Sequence, residues 1–235
     1  MAQQRVLHAA GGLAYHLVFI ARRTLGISVL PDGTVEVSAP LETPILKIEE
    51  RLVARLPWIE RQKAHFGQFL PRTPARQYVG GETHLYLGRQ YRLRLEQAED
   101  REVRCYAGRL VVSVPAPHLP EQVRLALEAW YAERARIKLP ERVAIAQTHF
   151  QRFGLSHSRL TIRCLQRRWG SMSSSGRLTL NRDLIKAPIS SIDYVVVHEL
   201  CHLAHADHGP AFYRMLRQIM PDWEARKARL ERLLA

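Results

Sequence analysis

The stretch HELCHLAHADHGPAF, residues 198–212, holds four of the chain's eleven histidines. His198 and His202 stand four residues apart. On an α-helix that spacing puts both imidazoles on one face, one turn apart, where they can share a zinc ion. Glu199 lies about 100° round the helix from His198, placed to take a proton from a metal-bound water rather than to bind the metal. Random order gives the HExxH pattern in roughly 3% of chains of this composition, so the match needs context. The context is an apolar run, Tyr194-Val195-Val196-Val197, on a helix predicted over SSIDYVVVHELCHLAHA. Ser190 or Ser191 suits its N-cap and Asp193 its first turn. Gly209-Pro210 breaks that helix, and Pro210 opens the next, because proline suits the first helical position. Pro221 ends the second helix, and Asp222 caps a last amphipathic one.

A catalytic zinc needs a third protein ligand and an open position. His205 shares the stripe with His198 but lies about 10 Å further along the axis, awkward for bonds of about 2.0–2.1 Å. His208 sits just before the Gly-Pro break, where the turning chain can swing a ligand back. Glu224 or Glu231 on the last helix is the other alternative. Geometry favours His208. Cys201 is rotated off the stripe and reads as a small core residue.

Outward from this stretch, the second half is helical over PEQVRLALEAWYAERARIKLPERVAIAQTHFQRF, with Leu125, Trp130 and Ile137 on the expected buried face. Leu160–Cys164 and Arg177–Leu180 are candidate short strands. The first half reads as β. YHLVFI has strand character. ISVLPDGTVEVSAP alternates about Asp32-Gly33, and HLYLGRQYRLRLEQ and REVRCYAGRLVVSVPAP alternate about Gly88 and Gly108, all hairpin signals. Between them Ile45, Ile48, Leu52, Leu56 and Ile59 recur at helical spacing, with Pro57 bending or splitting the helix. No sequence repeat stands out. The expectation is an α+β protein: a β-rich region over residues 1–118, then a catalytic domain over 119–235.

The chain's 235 residues are 46% hydrophobic and 24% charged, enough for one large or two small cores and unlike a disordered chain. A net charge of +13 and a pI near 10.3 suit an anionic partner. Cys105, Cys164 and Cys201 are far apart and odd in number, which argues against a disulfide framework and fits a reducing cytoplasm. Val6–Ala21 carries two histidines and no run of 18 apolar residues, so neither a signal peptide nor a membrane span is expected.

Several blocks together resemble the YgjP-like metallopeptidase domain family, relatives of the SprT-like zinc proteases. They are DGTVEVSAP, YLGRQYRL, RRWGSMSSSGRLTLN (Arg167 to Asn181) and DYVVVHELCHLAHADHGPAF. The resemblance covers most of the chain. It implies a zincin-like catalytic half with one zinc per chain and carries the third ligand to His208. Met172 stands where relatives usually have cysteine. The resemblance also implies that a strand such as Arg177–Leu180 lies above the active helix and receives substrate by edge pairing. It further sets Arg167, Arg168 and Trp169 near the cleft, Arg168 and Trp169 being candidate substrate-binding residues.

The leading functional expectation is a zinc peptidase with a protein or peptide substrate, Glu199 acting as general base and then acid. A second is a metal-dependent hydrolase of nucleotide phosphoanhydrides, with arginines clamping phosphates. A third is a protease associated with nucleic acid through its basic surface, although the basic residues are spread along the chain with no aromatic-rich basic tract and no recognised DNA-reading motif.

Overall fold

The computed structural model describes residues 6–30, 32–67, 76–166 and 168–234. The protein mixes helices and sheets in two compact units, which part between residues 73 and 74.

The first unit opens with β1 (Val6–Ala10) and β2 (Leu13–Phe19), joined by Gly11-Gly12. Both glycines have positive φ, as a two-residue type I′ hairpin requires. β3 (Gly26–Val29) and β4 (Val35–Ala39) form the hairpin expected about Asp32-Gly33, and the Asp32 carboxylate accepts the Thr34 N–H at 2.8 Å. β2 and β4 pair in parallel, giving the order β1-β2-β4-β3. Helices α1 (Ile45–Ala54) and α2 (Leu56–Gly67) follow, separated at Arg55. Pro57 sits in the first turn of α2, where its missing N–H costs no helical bond. Ile48, Leu52 and Ile59 join Tyr15, Leu17, Val35 and Val37 in one core. Of the expected apolar stripe, Ile45 stays exposed.

The second unit begins with β5 (Thr83–Tyr86), β6 (Arg89–Gln97), β7 (Glu102–Tyr106) and β8 (Arg109–Val114), in the order β5-β6-β8-β7. Two-residue turns at Leu87-Gly88 and Ala107-Gly108 close its hairpins, all four residues at positive φ. β6 and β8 pair in parallel. This is the topology of the first sheet again, a repeat of architecture without a visible repeat of sequence.

The domain boundary expected at 118/119 therefore needs correction. Leu110, Val112 and Val114 of β8 share one buried cluster with Val123, Leu127 and Trp130 of α3 (Pro120–Gln151). Composition changes at Pro120, but the core runs across it. The buried face of α3 also differs from the expected one. Trp130 is buried, whereas Leu125 and Ile137 are 42% and 48% exposed. The sheet takes the face bearing Val123, Leu127 and Tyr131, and the Tyr131 hydroxyl donates to the Leu85 carbonyl at 2.7 Å.

β9 (Arg159–Arg163), β10 (Gly170–Met172) and β11 (Arg177–Asn181) form a small sheet ordered β10-β11-β9. A 3-10 turn (Arg182–Lys186) leads to α4 (Ile189–Cys201), followed by α5 (Pro210–Ile219) and α6 (Trp223–Leu234). α4 starts after Pro188, so neither Ser190 nor Ser191 caps it. Ser191 is fully buried and its hydroxyl donates to the Arg226 carbonyl of α6 at 3.1 Å. Asp193 accepts two hydrogen bonds from Arg142, at 2.7 and 2.8 Å, which fasten α3 to α4. No helix among the described residues is long and apolar enough to cross a membrane.

Candidate metal centre

α4 ends earlier than its apolar pattern predicts. Its last residue is Cys201, and His202 is the C-cap, still in the right-handed helical region. His198 and His202 thus keep one-turn spacing, while the chain beyond is free to curl. It turns through residues 203–208 and enters α5 with Pro210 in the first turn. The turn brings His208 back to the helix. Its Nε2 lies 3.0 Å from Nε2 of His198. Among the described residues, His198, His202 and His208 are the group of metal-ligand side chains that converges, their ligand atoms all within 4.8 Å of one another. Nitrogens bound to one tetrahedral ion at about 2.0–2.1 Å stand about 3.3 Å apart. The triad therefore fits an ion with only small side-chain shifts.

Two details prepare the imidazoles for that role. His202 Nδ1–H donates to the His205 carbonyl at 2.9 Å, which leaves the Nε2 lone pair free for a metal. His205 thus supports the site through its backbone, and its ring is outside the triad. Burial, then the neighbouring His208 and His202, push His198 down to about 3, so it is a neutral donor. His208, although exposed, is lowered as well, chiefly by partial desolvation of its ring. Phe212 at the start of α5 is fully buried and packs against all three rings, with centroids 4.7–5.0 Å away. The HGPAF segment therefore supplies an imidazole, a turn and an apolar backstop in five residues. Neither downstream glutamate joins the triad. Glu224 is exposed in the first turn of α6, and Glu231 lies 3.6 Å from Lys227. Cys201 is fully buried, its thiol pushed up to about 12 by desolvation.

Glu199 is 8% exposed. Burial raises its carboxyl to about 7, against the opposite pull of the Met172 N–H that it accepts and the charge of Arg168. A carboxyl at that value can both take and return a proton near neutrality. Its neighbour in space is Gly170. A Cβ there would stand 2.8 Å from Glu199 Cγ and 2.9 Å from Oε1, so only glycine leaves room. The signal was a glycine at the edge of a strand, which often marks close approach. Asn181 fixes the segment before Gly170. Its side-chain amide donates to the carbonyls of Leu165 (2.8 Å) and Arg168 (3.1 Å), and its backbone N–H donates to the Trp169 carbonyl (2.8 Å).

A cavity of about 260 Å³ adjoins His198 and Glu199. Arg168 and Trp169 both line it, and Trp169 also packs against the core. Arg167 lies outside the described residues. The expected edge strand changes identity. Arg177–Leu180, in β11, is paired on both sides, with β10 and β9, and cannot accept a further strand. The edge of this sheet next to Glu199 is β10.

The model of the YgjP-like metallopeptidase domain matches residues 23–233. The chain belongs to this family. Membership implies a metal ion, and the histidine triad is where this YgjP-like chain can hold one. No curated protein matches it. Among solved structures it is similar to the metallopeptidase zymogen of Pyrococcus abyssi abylysin, at 20% identity and TM-score 0.36, covering 41% of this chain and 94% of that one. The zymogen of Methanocaldococcus jannaschii jannalysin is similar at 18% identity and TM-score 0.36, covering 41% and 90%.

Proposed function

We propose that this protein is a zinc-dependent peptidase of the zincin type, working in the cytoplasm. The observation that carries the reading is the convergence of three imidazoles beside a buried carboxyl poised near neutrality. His198, His202 and His208 would hold one zinc ion per chain. When bound, zinc supplies Lewis acidity and brings the pKa of water down to about 7. Glu199 takes a proton from the attacking water as its oxygen bonds to the scissile carbonyl carbon. It then delivers that proton to the amide nitrogen as the C–N bond breaks. An extended peptide segment pairs with the β10 edge through the Gly170 main-chain groups and the Met172 carbonyl, the Met172 N–H being held by Glu199. Arg168 and Trp169 line the cavity that takes a substrate side chain.

Arg168 and Lys227 in that cavity support a second reading, hydrolysis of a nucleoside triphosphate, with the cations holding phosphates. Unfolded proteins and nucleoside triphosphates, each assayed with and without chelator, separate the two. In either case Glu199→Gln should lower turnover by about 10²–10⁴-fold with bound metal unchanged. Near wild-type turnover in that variant would refute the mechanism.

A further inference from the structure

A cavity of the first unit is lined by none of these residues, and nothing above gives it a role. It measures about 790 Å³, within the range of small-ligand clefts. Arg23 leads into β3, and Lys47, Arg51 and Arg55 come from α1 and its C-cap. These four cations line the cavity with a single carboxylate, Glu50, among them. All four are exposed, whereas Leu25, Ile27 and Trp58 are half-buried and form its apolar part.

The arrangement is selective in two ways. Lys47, Arg51 and Arg55 follow one another at four-residue intervals, so they rise in a stripe along one helix face, about 6 Å per step. A stripe of evenly spaced cations suits a chain of phosphates better than one isolated anion. Trp58 stands one turn beyond Arg55, in α2, and offers a flat indole within the same cavity. Cations that track a backbone beside an aromatic platform are what a single strand with unstacked bases needs. A duplex hides its bases and cannot use the indole. The residues come from distant parts of the sequence, which is why no continuous basic-aromatic tract is visible there.

We propose that this cavity binds a single-stranded nucleic acid, with Arg23, Lys47, Arg51 and Arg55 on phosphates and a base stacked on Trp58. The site rests on the first unit alone and is independent of the metal-centre reading. The test is fluorescence anisotropy of the full chain with short labelled DNA and RNA single strands, the matching duplex, and heparin as a base-free polyanion. Wild type should bind single strands with a log–log salt slope of about −2 to −3, at about −0.7 per phosphate contacted. The triple variant K47Q/R51Q/R55Q should reduce the slope by about 2. Trp58→Ala should weaken binding about tenfold, and Trp58→Phe should keep most of it. A preference for DNA or for RNA would identify the source of the strand. Thermal melting checks that each variant is folded, and the exposed cations can be replaced without touching the core. Folded variants that bind like wild type would overturn the proposal. So would a duplex bound as tightly as a single strand, or heparin binding equally with Trp58→Ala without effect.

Discussion

The sheets β1-β2-β4-β3 and β5-β6-β8-β7 are built alike: two antiparallel hairpins, inner strands paired in parallel, then a helix. Their surroundings differ. In the first unit the sheet and its two short helices close their own core and leave a cationic cavity. In the second unit the hairpin turn Leu87-Gly88 is fastened to the segment leading into α4. Leu87 and Gly88 donate their N–H groups to the carbonyls of Ile185 and Lys186, at 2.9 and 3.0 Å. The single long helix α3 then packs against α4 itself, joined by Arg142 and Asp193. One topology thus closes a core with two short helices in one unit and underlies the helix that bears His198 and His202 in the other. What separates the two is where turn and helix make their contacts, which strand order alone does not determine.

The largest expected effect comes from the part of the second unit with no counterpart in the first. Gly170→Ala places a methyl against Glu199, and a misplacement of about 1 Å at a reacting group can cost about 10²-fold in rate. Steady-state hydrolysis beside a melting curve should show turnover falling about 10²-fold while most of the stability survives. Next comes the shared turn. Gly12 and Gly88 occupy the same position of equivalent hairpins, with φ of 78° and 76°. A Cβ at Gly12 meets nothing within 4 Å, but one at Gly88 would lie 2.6 Å from Pro188 Cγ and 2.8 Å from its Cα. Gly12→Ala should cost about 1–2 kcal/mol for the backbone alone. Gly88→Ala should cost about 3–4 kcal/mol, because overpacking adds to it. Equal losses in urea unfolding would show that the docking of the second turn has no energetic meaning.

The smallest effect concerns Glu82, beside β5. Burial opposes its ionisation, yet the N–H groups of Gln77 and Tyr78 together with His84 hold its carboxyl below the usual range. A folded pKa below the unfolded one stabilises the protein above the unfolded value of about 4.3, and that contribution fades as pH falls through the lowered folded value. Glu82→Gln should therefore cost about 1 kcal/mol at pH 7, with the gap to wild type closing toward pH 3. A gap that widens in acid would reverse the sign and contradict this assignment.

The readable features were those set by short-range rules. The four-residue spacing of His198 and His202, the Gly209-Pro210 break and the hairpin glycines at 33, 88 and 108 all act within a few residues. The less readable ones depend on partners far away in sequence. Leu125 and Ile137 fit a helical stripe as well as Val123 and Leu127 do, and only the sheet decides which stripe is buried. Arg177–Leu180 has the alternation of a strand, but its position at the centre of the sheet follows from pairing with β9 and β10 on either side. Pro120 marks a change from strand to helix and looks like a boundary until β8 and α3 are seen to share one core. The architectural repeat was hidden because its turns, Gly-Gly, Leu-Gly and Ala-Gly, share backbone conformation rather than sequence.

The central claim is that the turn after α4 delivers His208, and not His205, to an ion held with His198 and His202. Metal content by mass spectrometry of the purified wild type, His208→Ala and His205→Ala tests it most directly. The account predicts about one zinc per chain in the wild type and in His205→Ala, whose backbone carbonyl still holds His202, and a large loss in His208→Ala. Zinc retained without His208, or lost without the His205 ring, would contradict it.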